Sequence, residues 1–283
     1  MSPAAGSAST GFSPVRTMLS IAVAVAFALP VAWVIISSLR PERDILAHLS
    51  PLNWEAFIPS EITLDNYTGL VQSGFMQGVV NSILVAGITI VLGLLVCAPA
   101  AFALSALRFP GRNLIFALLV VSFSVPFDIL AIPLAQLVRG WGLSNTIIAL
   151  VLPGIGNGFA IFLLRQFFLA IPTSLVEAAR VDGASWLRVL FQIYLPMSRS
   201  VLVGAGLIIF TFQWQAYLWP LLAATASDAQ LAPTRLAALS SLYDANTGQV
   251  LAGAAVLAVI PAIVLLVFQR YFVLSTSTSG VNG

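Results

Sequence analysis

Residues 177–196 read E-A-A-R-V-D-G-A-S-W-L-R-V-L-F-Q-I-Y-L-P, from Glu177 to Pro196. The stretch is a polar island between two apolar runs of membrane length, Leu143–Leu164 and Val201–Thr225, each free of Arg, Lys, Asp and Glu. It is where an otherwise oily chain can meet something in water. Across all 283 residues, 59% are hydrophobic and only 8% charged, with a mean hydropathy of +1.01. Soluble domains carry about a quarter charged residues, and so few charges could not cover a soluble surface.

Working outward, the countable unit is the membrane span of about 20 apolar residues. Six are expected, at 18–39, 79–104, 113–137, 143–165, 201–223 and 250–270. Each is helix-length, and none alternates like a barrel strand. The fold class is therefore an all-α membrane protein with six transmembrane helices. Residues 1–17 form a short tail, 40–77 an external loop, 77–268 a helical core, 166–199 a polar loop within it and 271–283 a second tail. The first span follows only Arg16 and ends in Ile-Ile-Ser-Ser-Leu-Arg, a poor cleavage site, so it is read as an uncleaved helix. The lone Cys97 builds no disulfide framework.

All twelve basic residues are arginine. With the amino terminus in the cytoplasm, Arg16, Arg108, Arg112, Arg165, Arg180, Arg188, Arg199 and Arg270 fall inside. Arg40, Arg43, Arg139 and Arg235 fall outside, which obeys the positive-inside rule. Both termini and the polar island are thus expected in the cytoplasm of an inner (plasma) membrane protein. The formal charge of +2 reflects this orientation rather than nucleic-acid binding, because no basic cluster exists outside the loops. Seven prolines lie within spans (Pro30, Pro99, Pro126, Pro133, Pro153, Pro220 and Pro261), where kinks are expected. They suit a bundle that rearranges, although membrane helices also tolerate proline for structural reasons.

Within the island, Ser174 and Glu177 have the spacing of a capping box. A short helix is expected from there through Ala178, Ala179 and Arg180 to Asp182. Gly183 is placed to end it in the left-handed conformation. A second helix should begin near Ser185 and stop at Pro196. The product is a helix, a glycine turn and a helix, with small side chains that permit close docking; an ordinary amphipathic surface loop would read the same way.

The pattern E-A-A-x-x-D-G-A, then an apolar helix and L-P, resembles the EAA loop of permease subunits of binding-protein-dependent ABC importers. It is matched by Glu177, Ala178, Ala179, Asp182, Gly183, Ala184, Leu195 and Pro196. Arg-Phe-Pro-Gly-Arg-Asn at 108–113, Val-Pro-Phe-Asp at 125–128, Ile-Pro-Leu at 132–134, Phe-Leu-Leu-Arg-Gln-Phe-Phe at 162–168 and Tyr-Leu-Trp-Pro-Leu-Leu at 217–222 extend the likeness. They are similar to the carbohydrate-uptake branch, in particular its smaller six-helix permease of the maltose-importer kind. Ser200 stands where that family usually has a proline, and the Ser/Thr-rich tail departs from its usual ending.

The resemblance implies a type I importer permease fold in which the island is the coupling helix that enters a cleft on a separate ATPase. It implies a second permease subunit, a dimer of ATP-binding subunits, an external solute-binding protein and a surrounding bilayer as partners. ATP and magnesium would then belong to the ATPase, with no cofactor on this chain. The solute would be a sugar or a related polar molecule.

Other residues were weighed for roles in a pathway. Asp128 is the one acid within a span, costly at that depth and so a candidate gate or substrate contact, or a structural hydrogen-bonding group. Gln213, Trp214, Gln215 and Tyr217 combine aromatics with amides, the set a sugar pocket uses, although Tyr217 also suits an interfacial belt. His48 lacks a second ligand, and no metal site is expected. The sequence has no G-x-x-x-x-G-K-[ST] and no Ser/His/Asp arrangement, so ATP would bind another polypeptide. A self-contained secondary transporter or membrane enzyme is the alternative, and the shortage of intramembrane titratable groups argues against both.

Overall fold

The structure, a computed structural model, describes residues 14–45, 58–59, 61–240 and 246–277, without side chains for 272–277. His48, Glu55, Asp244, the start of the N-terminal tail and the end of the C-terminal tail lie outside these residues. Every regular element among the described residues is helical: α1 (Pro14–Ser38), α2 (Glu42–Ile45), α3 (Asp65–Gln72), α4 (Phe75–Ala106), α5 (Arg112–Ser122), α6 (Phe127–Gly140), α7 (Ile147–Ile155), α8 (Gly158–Leu169), α9 (Thr173–Val181), α10 (Trp186–Val189), a π-turn at Leu190–Tyr194, α11 (Leu195–Met197), α12 (Arg199–Trp214), α13 (Leu218–Ala223), α14 (Ala232–Ser240) and α15 (Thr247–Ser277).

Three helices are long and apolar enough to cross a membrane alone: α1, α4 and the Thr247–Tyr271 part of α15. Where the sequence pattern draws unbroken spans at 113–137 and 143–165, the structure has bent pairs. Helices α5 and α6 meet at 97°, and α7 and α8 at 40°. A third bend, of 84°, separates Trp186–Met197 from α12. The span expected at 201–223 is α12 followed by α13, with a gap at 215–217. Proline chemistry accounts for the first break. Val125 precedes Pro126 and is pushed out of helical geometry, and Pro126 itself sits extended (φ −61, ψ 125) at the N-cap of α6. In α13, Pro220 lies within the first turn, where its missing N–H is tolerated.

The chain divides into two compact units. The first comprises residues up to Gly69 together with Asn246–Ala258. Here Asn66 donates from Nδ2 to the carbonyls of Ser38 (2.8 Å) and Arg40 (2.7 Å), and the Ser38 and Tyr67 hydroxyls lie 2.7 Å apart. These bonds close the frayed end of α1. The Glu42 carboxylate accepts from Asn246 Nδ2 (2.8 Å) and from the Thr247 amide (3.0 Å), capping the positive start of α15. The segment following α1 is therefore tied by specific hydrogen bonds within this unit.

The second unit comprises Leu70–Ala245 and Val259 onward. Its centre is α4, which packs against α7, α8, α12 and α14. One cluster joins Ala98, Ala101 and Phe102 of α4 to Ile161, Leu164 and Phe168 of α8 and to Val201, Ala205 and Ile209 of α12. A second gathers Val85, Ala149, Leu150, Trp219, Ala223 and Leu231. Small residues permit this closeness. A Cβ on Gly154 would stand 2.7 Å from Thr89 Cγ2 and 3.0 Å from Gln213 Oε1.

Breaking a span releases carbonyls that water cannot reach. Pro153 has no N–H for the carbonyl four residues earlier, that of Ala149, and Trp219 Nε1 donates to that oxygen at 3.2 Å. Gln213 Nε2 donates to the Leu150 carbonyl at 3.4 Å. At the α7–α8 break, Cys97 Sγ lies 3.5 Å from the carbonyls of both Ile155 and Asn157. Thr146 and Asn157 cap the two half-helices, accepting from the amides of Ala149 and Ala160. The broken span is thus held by side chains from α4, α12 and α13.

Replacing Trp219 by Phe keeps an aromatic ring but orphans the buried Ala149 carbonyl. The expected cost is about 2 kcal/mol, read as a lowered midpoint in thermal unfolding of the detergent-solubilised protein. An unchanged midpoint would show that this bond does not hold the α7 break.

Candidate functional site

The Glu177–Pro196 stretch folds as a helix, a left-handed turn and a second helix. Helix α9 starts at Thr173 with Pro172 at its N-cap and no side-chain cap bond. The Ser174–Glu177 capping box is therefore not formed. Pro172 already supplies the extended N-cap residue, which places Thr173 and Ser174 inside the first turn and leaves Glu177 pointing to solvent.

At the other end the expected glycine turn is present. Gly183 has φ +80, the Ala184 amide donates to the Ala179 carbonyl at 2.9 Å, and the Gly183 amide donates to the Arg180 carbonyl at 3.1 Å. This pair of bonds is the Schellman motif, which satisfies the last carbonyls of the helix. Arg180 tightens it by donating from Nη1 to the Ala184 carbonyl at 2.6 Å. A Cβ on Gly183 would meet nothing within 4 Å, so backbone conformation alone demands glycine here.

Ser185 then caps α10, its side chain accepting from the Arg188 amide. The second helix does not stop at Pro196. The Leu195 amide reaches back five residues to the Leu190 carbonyl, a π-turn, and Pro196 follows within α11 before the chain pauses at Ser198. A widened turn is a common way for a helix to take up such an irregularity.

Burial divides the eight residues of the motif into two sets. Glu177, Ala178, Asp182, Gly183 and Pro196 are exposed. Ala184 is buried in the α4–α8–α12 core, and Ala179 and Leu195 pack against it. The small residue at 184 therefore serves internal packing, while 177, 178, 182 and 183 form the outward edge. Two apolar residues that the motif does not include share that edge: Val181 is 87% exposed and Leu187 68% exposed. Val181 stood in the sequence between the charged Arg180 and Asp182, and Leu187 beside the charged Arg188. Together these residues make a small, rigid knob of alanine, glycine and valine rimmed by two carboxylates. Chemically it can dock into a cleft.

Beneath the knob, the end of α4 is fastened by two arginines. Arg165 donates from Nε to the Leu104 carbonyl at 3.0 Å, and Arg112 from Nη1 to the Leu107 carbonyl at 3.1 Å. Positive charge is favourable at a helix C-terminus. The Arg165 guanidinium also lies 3.8 Å from the Phe116 ring centroid.

The residues considered for a pathway do not form one constellation. Gln213 (8% exposed) and Trp214 (5%) are buried in helix packing. Gln215 is exposed and Tyr217 is 45% exposed, both at the break between α12 and α13. Asp128 is exposed in the first turn of α6, where a carboxylate suits the helix dipole. Aromatic and amide residues read alike in sequence whether they face a pathway or a neighbouring helix, which is why the run at 213–217 looked uniform.

Residues 93–277 match the profile of the family described as binding-protein-dependent transport system inner membrane component. The arabinooligosaccharide transport system permease protein of Halalkalibacterium halodurans is 34% identical over 261 residues, covering 90% of this chain and 91% of that protein. The trehalose transport system permease protein of Mycobacterium tuberculosis is 34% identical, covering 90% and 92%. Among solved structures, a bacterial ABC transporter involved in import of the acidic polysaccharide alginate superposes with a TM-score of 0.76 at 22% identity. It covers 96% of this chain and all of that one. At that identity the likeness shows the fold alone.

Because only φ constrains residue 183, substitutions there should rank by their tolerance of the left-handed region. Gly183→Val is expected to destabilise by about 1–2 kcal/mol, and Gly183→Asn by clearly less. Thermal unfolding of the purified variants reads the order, and equal effects of the two would refute a conformational requirement.

Proposed function

The chain belongs to the family of inner membrane components of binding-protein-dependent transport systems, and from that premise we propose its solute, its assembly and its working surface. It is a multi-pass, non-catalytic permease subunit of an ATP-driven importer, and it works with other components of that transporter. The family places it with such importers rather than with self-contained transporters or membrane enzymes.

The solute is a sugar or oligosaccharide. The support is that relatives aligned over about nine-tenths of this chain are named for arabinooligosaccharide and trehalose transport. The assembly comprises this chain, a second permease subunit, two ATP-binding subunits and an external solute-binding protein. ATP and magnesium reside on the ATP-binding subunits. Both termini and the Glu177–Pro196 loop face the cytoplasm, as the distribution of arginines supports.

The single observation that carries the working surface is the exposed turn at 177–183. It is locked by the Schellman bonds and by Arg180, and it presents Ala178, Val181, Asp182 and Gly183 outward. A rigid knob of small residues enters a cleft without an ordering cost, and Glu177 and Asp182 meet basic or polar groups at its rim. Ala184, Leu195 and the buried side of Ala179 hold the knob to the bundle. Contacts with the solute fall to the exposed Asp128, Gln215 and Tyr217, while Gln213 braces α7 from within and Trp214 stacks on Phe210.

The test is co-expression of the chain with its neighbouring transporter genes, followed by purification in detergent and reconstitution. The expected result is a complex containing an ATPase and a second permease that accumulates radiolabelled trehalose or arabinooligosaccharide in an ATP-dependent way. Val181→Asp should release the ATPase from this complex, lowering its retention about ten-fold or more, as charge buried in an interface does. A stable complex without an ATPase would refute the assembly, and uptake confined to non-carbohydrate solutes would refute the solute class.

A further inference from the structure

Between the exposed turn and the bundle lies an unbroken file of rings. The Arg180 guanidinium sits 4.7 Å from the centroid of the Trp186 ring. Trp186, at the start of α10, stands 6.3 Å from Phe102 of α4 at an interplanar angle of 60°. Phe102 is 4.8 Å from Tyr194 of the π-turn at 79°, and Tyr194 is 5.2 Å from Phe168 of α8 at 83°. Trp186 is partly open to solvent, whereas Phe102, Tyr194 and Phe168 are fully inside the core.

Edge-to-face contacts have a preferred geometry. Rings packed at crystal-like density cannot absorb a displacement by compression. A shift of Arg180 toward the bundle therefore bears on Trp186, whose inner side abuts Phe102, and Phe102 in turn abuts Tyr194. Phe102 lies at the end of α4 whose carbonyls Arg112 and Arg165 hold, and Phe168 lies near the end of α8. The file thus connects the exposed turn to two helices of the bundle.

We propose that Trp186 and Phe102 are positioning residues that carry displacement of the Glu177–Gly183 turn into α4 and α8. This rests on the assignment of that turn as the ATPase contact. Neither residue touches solute or nucleotide. What they supply is a stiff lateral path that runs beside the covalent one through α10, the π-turn and α11. Arg180 serves both ends, since it closes the turn at Ala184 and lies against the first ring.

The experiment uses the complete reconstituted complex, titrated with Mg-ATP in the presence of saturating purified binding protein. In Trp186→Ala, the kcat of stimulated hydrolysis is expected to fall about ten-fold while KM for ATP stays within about two-fold. Trp186→Phe, which keeps a ring in contact with Phe102, should recover at least about half of the loss. Phe102→Leu serves as a second variant with the same expected split, should the Trp186→Ala chain fail to fold and insert. Stimulated kcat within about two-fold of wild type in Trp186→Ala would overturn the proposal. So would a Trp186→Phe variant as slow as the alanine, or loss of the ATPase from the variant complex alone, which would make Trp186 a docking residue. A wild-type complex that lacks an ATPase would instead refute the assembly argued above, and this inference with it.

Discussion

A carbonyl released inside an apolar slab has no water to turn to, and that constraint organises most of this bundle. Three of the bends in the chain lie at or beside prolines, and each frees backbone groups. The α7 break is the clearest case. Ala149, Leu150, Ile155 and Asn157 offer carbonyls there, and Trp219, Gln213 and Cys97 come from three different helices to meet them. The polar residues of α12 and α13 are thereby committed to structure before any question of solute arises. Gly154 completes the arrangement, because a methyl group at that position would drive Thr89 and Gln213 away.

The same logic separates the two faces of the Glu177–Pro196 loop. A turn exposed to water has no need of fixed bonds, yet this one has three: two Schellman bonds and the Arg180 bond to Ala184. On the proposed reading of this turn as the ATPase contact, the stiffness matters. Force applied to a mobile loop is lost in its own rearrangement, whereas force on a closed turn passes to whatever the turn rests upon. It rests on Ala179, Ala184, Val189 and Leu190, which belong to or pack against the core shared with α4, α8 and α12.

Much of this was legible in the residues. The left-handed turn at Gly183 and a second helix beginning near Ser185 follow from local chemistry, and both are found where the sequence puts them. The cap at Ser174 was misread because Pro172 competes for the same role, and a proline fixed near the extended region wins without any side-chain bond. The path of the chain through Pro196 was also hidden, since a π-turn leaves no mark in a spacing rule. At Pro126 the break could be anticipated, but its 97° angle is set by what the two halves pack against. The aromatic file was beyond reach for the same reason: Phe102, Phe168, Trp186 and Tyr194 are far apart in sequence, and only tertiary packing brings their rings together.

The distribution of stiffness in this unit is itself informative. Where α5 meets α6 and where α12 meets α13 the backbone has gaps, and the described residues there, Ser124, Asp128, Gln215 and Tyr217 among them, are exposed. Between the loop and the ends of α4 and α8 lie packed rings and fastened helix ends, while the chain itself leaves helical geometry at 170–172 and bends by 84° before α12. A machine driven from outside needs rigidity between the point of drive and the element driven, and freedom at the joints beyond. Here Pro126 sets the α5–α6 joint, and phenylalanine, tyrosine and tryptophan line the proposed path of the drive.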